Sequence, residues 1–190
     1  MAITKKCVTL QQSVGWCQGR PELPSIMGRV YFIAKSEIVK FPQLPRDEMG
    51  RATSSILAGD FELTADTKWK YLDILPDKSQ HQSDAQGEIP YQTQLNKLTL
   101  VHPGVGEEAT ALCAYLNNSD NVFIFQDMSR RWGVVGSDRW TTKTTVAQDN
   151  GQGPTGTTST TVSVEAPDEI ASPFYTGKLE TEAGTISCAA

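Results

Sequence analysis

The stretch from Leu98 to Trp140 carries most of the organised apolar periodicity of this chain. Leu98 and Leu100 alternate with Thr99 and Val101, the period of a strand with one buried face. Pro103 and Gly104 interrupt that strand, and from Glu107 the period changes. Ala109, Leu112, Cys113 and Leu116 fall at helix-face offsets, while Glu107 and Glu108 occupy the first turn, where carboxylates oppose the positive end of the helix dipole. The pattern predicts one helix over residues 107–117, about three turns long, closed by Asn117, Asn118 and Ser119. Residues 122–125 are then a run of β-formers, Asp127 to Arg130 turns the chain, and Trp132, Val134 and Val135 return it. The expected unit is a helix packed on strand 122–125 of an antiparallel hairpin.

Elsewhere the signals are shorter. Residues 30–33 and 37–41 read as two short strands of a hairpin-like region closed by Pro42 and Pro45, and 46–55 fits either a helical turn or a loop. Phe61 and Leu63, then Trp69, Tyr71 and Asp73, alternate on either side of residues 65–68, a hairpin signal. Residues 76–90 have almost no apolar side chain. Such a long structureless run inside a domain is usually functional or disordered, and this one is expected to be a loop ordered only by a neighbouring subunit. A Thr-rich strand is expected at 141–148, a turn at Asp149-Asn150-Gly151, a strand at 158–164, a connector at 167–173 and a last strand at 174–179. Residues 1–24 read as an N-terminal arm and 180–190 as a small-residue tail. The fold class expected is mainly β: a β-sandwich or half-barrel with one principal flanking α-helix, in a single domain over residues 1–190.

Composition sharpens the β reading, because 15 glycines and 10 prolines among many Thr and Ser favour short strands and turns. The net charge of −5 is uneven: residues 1–50 hold seven basic and four acidic side chains, which leaves ten basic against eighteen acidic in the rest. An acidic body argues against a surface that grips phosphates by counterion release. Lys35 and Lys40, in the basic part, are left to line an outside surface or to pair with a neighbouring subunit. No apolar run suits a secretory signal or a membrane span, so no anchor is expected. Cys7, Cys17, Cys113 and Cys188 form no C-x-x-C pair and read as free thiols of a reducing compartment.

Two glycine motifs imitate nucleotide-binding fingerprints. Gly104-Val105-Gly106-Glu107-Glu108-Ala109 lies between a strand and a helix, but the two glutamates put negative charge where a pyrophosphate would sit. Gly151 to Gly156 precedes a strand, not a helix. His81 and His102 have no partner at metal-ligand spacing and read as a loop His and a strand-end His. No local signature supports a Cys–His nucleophile pair. The chain is therefore expected to be no enzyme, with no cofactor and no metal. Arg130 and Arg131 fit either a solvated turn or a charge-paired subunit contact, and Trp16, Trp69, Trp132 and Trp140 read as core or interface anchors.

Residues 28–34 (GRVYFIA), 121–127 (NVFIFQD) leading to 133–137 (GVVGS), 155–158 (TGTT) and 172–177 (SPFYTG), in that order with one helix between, resemble tail tube proteins of tailed bacteriophages and related injection machines. The resemblance implies a virion structural protein that assembles in the host cytoplasm. Six subunits join their sheets into a ring with a β-barrel lumen, the rings stack with other tail proteins, and DNA passes through without specific binding. It makes Lys78, Gln80, His81, Gln82 and Asp84 of the polar run, with Arg130 and Arg131, the candidate subunit-interface residues. The alternatives are a capsid decoration or head–tail connector protein, or a small β-sandwich binding module.

Overall fold

The alternating residues separate into strands whose apolar faces converge from two sheets. The computed structural model describes residues 13–19 and 21–189. In chain order the elements are β1 (Ile26–Ala34), β2 (Ile38–Lys40), β3 (Ile56–Leu57), β4 (Glu62–Leu63), β5 (Lys70–Asp73), β6 (Gln80–Gln86), β7 (Thr93–Pro103), α1 (Glu107–Leu116), β8 (Asn121–Asp127), β9 (Trp132–Val135), β10 (Lys143–Asp149), β11 (Ser159–Asp168), β12 (Phe174–Tyr175), β13 (Lys178–Thr181) and β14 (Gly184–Ser187). One sheet has six strands in the order β3-β12-β9-β8-β1-β5, and the other has four, β10-β11-β7-β6. The pairs β13–β14 and β2–β4 stand apart. The fold is a mainly β sandwich with one flanking α-helix, as the periodicity predicts.

The six-stranded sheet is buried on both faces, which explains the unbroken apolar run in β8. Val122 and Ile124 join Tyr31, Trp69, Trp132 and Leu179 in one cluster. Phe123 and Phe125 face the other way, into a second cluster with Val30 and Phe32 and with Leu98, Leu100, Val162 and Val164 of the four-stranded sheet. Leu98 and Leu100 retain no exposed surface, and burying each contributes on the order of 2 kcal/mol.

Helix α1 ends one residue before the expected limit, and it does not lie on β8. It is fastened along β10, where the Val146 N–H donates to Asn117 Oδ1 at 2.9 Å and Thr110 meets Gln148. Of its side chains only Leu116 is fully buried, while Leu112 and Cys113 are half-buried, so its apolar face is too narrow to cover a strand.

Several expectations change. The polar run 76–90 is no loop: a short 3-10 turn at Pro76–Lys78 leads into β6, which pairs with β7 through seven residues. Its order comes from its own chain, because β7 supplies the ladder and no apolar residue is required of an edge strand that covers little core. The turn near Asp66 (φ 65°) exists, but the strands beside it do not form a hairpin: β4 pairs with β2, and β5 with β1. Likewise β1 and β2 do not pair with each other. Residues 46–55 form a loop closed by the bridge between Arg46 and Ala52. Residues 178–187, expected as a strand end and a tail, make the hairpin β13–β14, which puts Leu179 and Cys188 into the core. Residues 1–12, 20 and 190, with Cys7, lie outside the described residues; the described part of the arm has no strand and is exposed.

Candidate functional site

The four-stranded sheet has two unlike faces, because register puts successive residues on opposite sides. His81, Leu98, Val164 and Thr144 form one row across it, facing the sandwich interior. The next row, Gln82, Lys97, Glu165 and Lys143, faces outward. Above and below it the outer face carries the polar Gln80, Asp84, Gln86, Thr99, Thr161, Ser163 and Thr145, with Leu95, Val101, Ala147 and Pro167 set among them. Burial alternates strictly along β11, with Thr160, Val162, Val164, Ala166 and Asp168 buried and the residues between them not.

The charges on this outer face nearly cancel. Asp84, Glu165 and Asp149 stand against Lys97 and Lys143. Lys97 Nζ lies 2.9 Å from Asp84 Oδ2, and this hydrogen bond, with one from Gln82, holds the Asp84 carboxyl below its ordinary range and raises the lysine.

Both edges of the sheet lack a strand partner among the described residues: β6 on one side, β10 on the other. Soluble proteins usually guard such edges with proline, lysine, bulges or very short strands. Here β6 and β10 each run seven residues with uninterrupted register and no proline, and β6 carries a single charge, Asp84. β10 begins with Lys143 and is lined by α1, where Asn117 takes the Val146 N–H and Thr110 meets Gln148.

The expected interface residues divide over this geometry. Gln82 and Asp84 lie on the outer face of β6, and Lys78 ends the exposed 3-10 turn before it. His81 is the reverse of a surface-loop residue. Its ring stacks on Phe125 at 4.7 Å, Nε2 is buried with no hydrogen-bond partner, and burial lowers its pKa. Phe125 can take that place because Gly133 lies opposite it, where a Cβ would come 2.6 Å from the ring. Gln80, His81 and Arg131 come together in a cleft of about 480 Å³ between the sheets, with Asp127 and Phe174. Arg131 pairs with Asp127 at 2.8 Å within its own chain, whereas Arg130 caps the turn at φ 66° and stays exposed. Lys35 and Lys40 are also engaged inside the chain, by Trp140 O with Asp120 and by Glu62. Of the two expected roles, Lys40, exposed and paired with Glu62, fits the outside surface.

The chemical motifs find other roles. Gly104 to Ala109 does join a strand to a helix, but β7 and β8 belong to different sheets, so α1 bridges layers and no crossover unit exists around it. Gly151 to Gly156 is the exposed β10–β11 loop. His102 Nδ1 lies 2.7 Å from the Asp73 carbonyl, a link from β7 to β5. Among the described residues no group of three His, Cys, Asp or Glu converges as a metal site, and no helix is long and apolar enough to cross a membrane.

The edge strands β6 and β10 are the structural feature that sequence reasoning missed. The signal available was the alternation of Gln80, Gln82, Asp84 and Gln86 with His81, Ser83 and Ala85, a period of two without an apolar side. Comparison with protein-family profiles, with characterised proteins and with solved structures gives no match.

Proposed function

We propose that this chain is a tail tube subunit of a tailed-phage virion, joining six copies edge to edge into rings that stack around a DNA conduit. The observation that carries the reading is a sheet with a largely polar outer face and no strand partner on either edge, β6 open and β10 lined by α1. Four antiparallel strands are an even number, so a rotated copy that brings its β10 beside β6 continues the antiparallel alternation without a mismatch. Closing the ring removes both edges at once. Six copies supply 24 strands, which at about 4.8 Å spacing and a tilt of about 40° close on a backbone diameter of roughly 50 Å. The outer face becomes the wall of that lumen. Its near-neutral surface, with Lys97 and Lys143 the lysines of its central row, offers few cations to displace counterions from a passing duplex.

Negative-stain microscopy and light scattering of the purified protein test this. The expected result is rings or tubes, lost in Gln148→Pro. The Gln148 N–H points away from β11, on the side where the Val146 N–H two residues earlier meets Asn117, so proline guards that edge and spares the β10–β11 ladder. A wild-type monomer or small oligomer would refute the tube and favour a decoration or connector protein.

A further inference from the structure

The turn between β6 and β7 displays Ile89 at 84% and Tyr91 at 83% exposure, among the most exposed large apolar side chains described. The tip has a defined shape. The Tyr91 N–H donates to the Glu88 carbonyl at 2.6 Å, and Gly87 (φ 86°) packs under the Tyr91 carbonyl. Single exposed apolar residues are ordinary, but two on one projecting tip concentrate surface that gains by leaving water. At the other end of the same sheet a groove of about 390 Å³ opens between α1 and β5. Phe32, Leu72, Leu112, Leu116 and Val162 form its floor, Lys70, Asp73 and Glu108 stand on its rim, and Cys113 lies in its wall. Tip and groove flank opposite ends of β7, Thr93 and His102, about 30 Å apart along an extended strand, so a chain cannot fill its own groove.

We propose that the β6–β7 tip of one copy docks into the α1–β5 groove of a second copy, head to tail. Contacts between unlike surfaces repeat from copy to copy instead of closing as a pair. The charges set the orientation. The tip carries one carboxylate, Glu88, and no cation; on the β5 side Lys70 has no ion-pair partner among the described residues, and Asp73 is already neutralised by Arg29 at 2.6 Å. Glu108 stands on the helix side, so Glu88 enters toward β5. Two apolar side chains bury far less than a stable interface needs. Strength comes from repetition, and this step rests on the ring reading above: each subunit of a ring makes the same contact, and linked contacts multiply.

Cys113 makes the docking directly testable. Full-length Ile89→Cys, oxidised with diamide, is expected to give a ladder of dimers, trimers and larger species on non-reducing gels, and Cys113→Ser in the same chain abolishes it. On the Ile89→Cys background, Glu88→Lys or Lys70→Glu alone is expected to weaken the ladder severalfold, and the two together restore it. The proposal is overturned by a ladder that survives loss of Cys113, by dimers alone from tip-to-tip linkage, or by no crosslinking. Wild-type crosslinking of Cys17 to Cys113 overturns it too, since the segment with Val14 and Trp16 would then occupy the groove. A ladder without rings in micrographs keeps the docking and removes the ring reading; rings without a ladder do the reverse.

Discussion

Asp168 is the last residue of β11 and is only 7% exposed. Its Oδ1 accepts the Glu169 N–H at 2.6 Å, while both nearby arginines are committed to Glu169: Arg46 at 2.6 Å and Arg139 at 3.2 Å. Burial, with Glu169 and Asp138 adding repulsion, pushes the Asp168 carboxyl up to about 6 from 3.8. The folded chain therefore holds this proton more tightly than the unfolded chain. Its contribution to stability is complete below pH 3.8 and is lost as the pH rises through about 6. A shift of about two units corresponds to at most about 3 kcal/mol at neutral pH. Asp168→Asn keeps the Oδ1 acceptor and removes the charge. The variant is expected to be more stable than wild type at pH 7 by up to that amount, with the gain vanishing near pH 4. Urea denaturation at pH 4, 5, 6 and 7 measures it, provided the two proteins share one m-value. Burial lowers the His81 pKa, which acts with the opposite sign in both proteins, so the difference between them is the readout. A gain independent of pH, or none at pH 7, would refute the buried-carboxylate reasoning.

His81→Phe is expected to keep the stack on Phe125 and remove the orphaned Nε2, so stability falls less between pH 7.5 and 5.5 than in wild type; the group's folded pKa is lowered, and its neutral form is the one the fold accommodates. Thermal melts at the two pH values check this, and an unchanged acid limb would count against it. Gly133→Ala is expected to cost about 1–3 kcal/mol by driving a methyl into the Phe125 ring, read by urea denaturation; a neutral substitution would show that Phe125 swings away freely. The intact protein is expected to show no salt-sensitive binding to a fluorescent duplex at low ionic strength, and affinity with a slope of several phosphate contacts would contradict the neutral wall.

What was legible in the sequence follows from where apolar atoms are needed. Helix α1 announces itself because Ala109, Leu112, Cys113 and Leu116 change the period within one window, and β7 and β11 because their inner faces fill the core between the sheets. The turn at Asp66 was legible as a turn, but a turn only reverses the chain. Trp69 and its neighbours found non-local partners, with β5 on β1 and Trp69 bridged to Thr181, because the long β1 had an open side of greater apolar length than β4 could offer. Likewise Leu179 and Cys188 are too few and too far apart to register as periodicity, although each closes the cluster under Trp69.

The least legible element and the proposed site are the same segment, for one physical reason. A strand inside a soluble monomer is recognisable when one face must leave water. β6 has no such face: His81 is its only large inward side chain, followed by Ser83 and Ala85, and its outer side is Gln80, Gln82, Asp84 and Gln86. What holds it is the backbone ladder to β7 and small polar links, Ser83 to Asn96 at 2.7 Å and Gln86 to Thr93 at 3.1 Å. A strand stabilised in this way contributes little to its own domain, yet its unpaired side is a continuous hydrogen-bonding edge of the four-stranded sheet, seven residues long like β10. In the proposed ring a second copy would supply the missing ladder without any apolar residue in β6, since paired main-chain groups, not side chains, carry such a contact. A polar composition that reads as loop is what a self-pairing edge of the proposed ring would require of β6: polar enough to stay in water before assembly, and free of the proline and lysine that would prevent it.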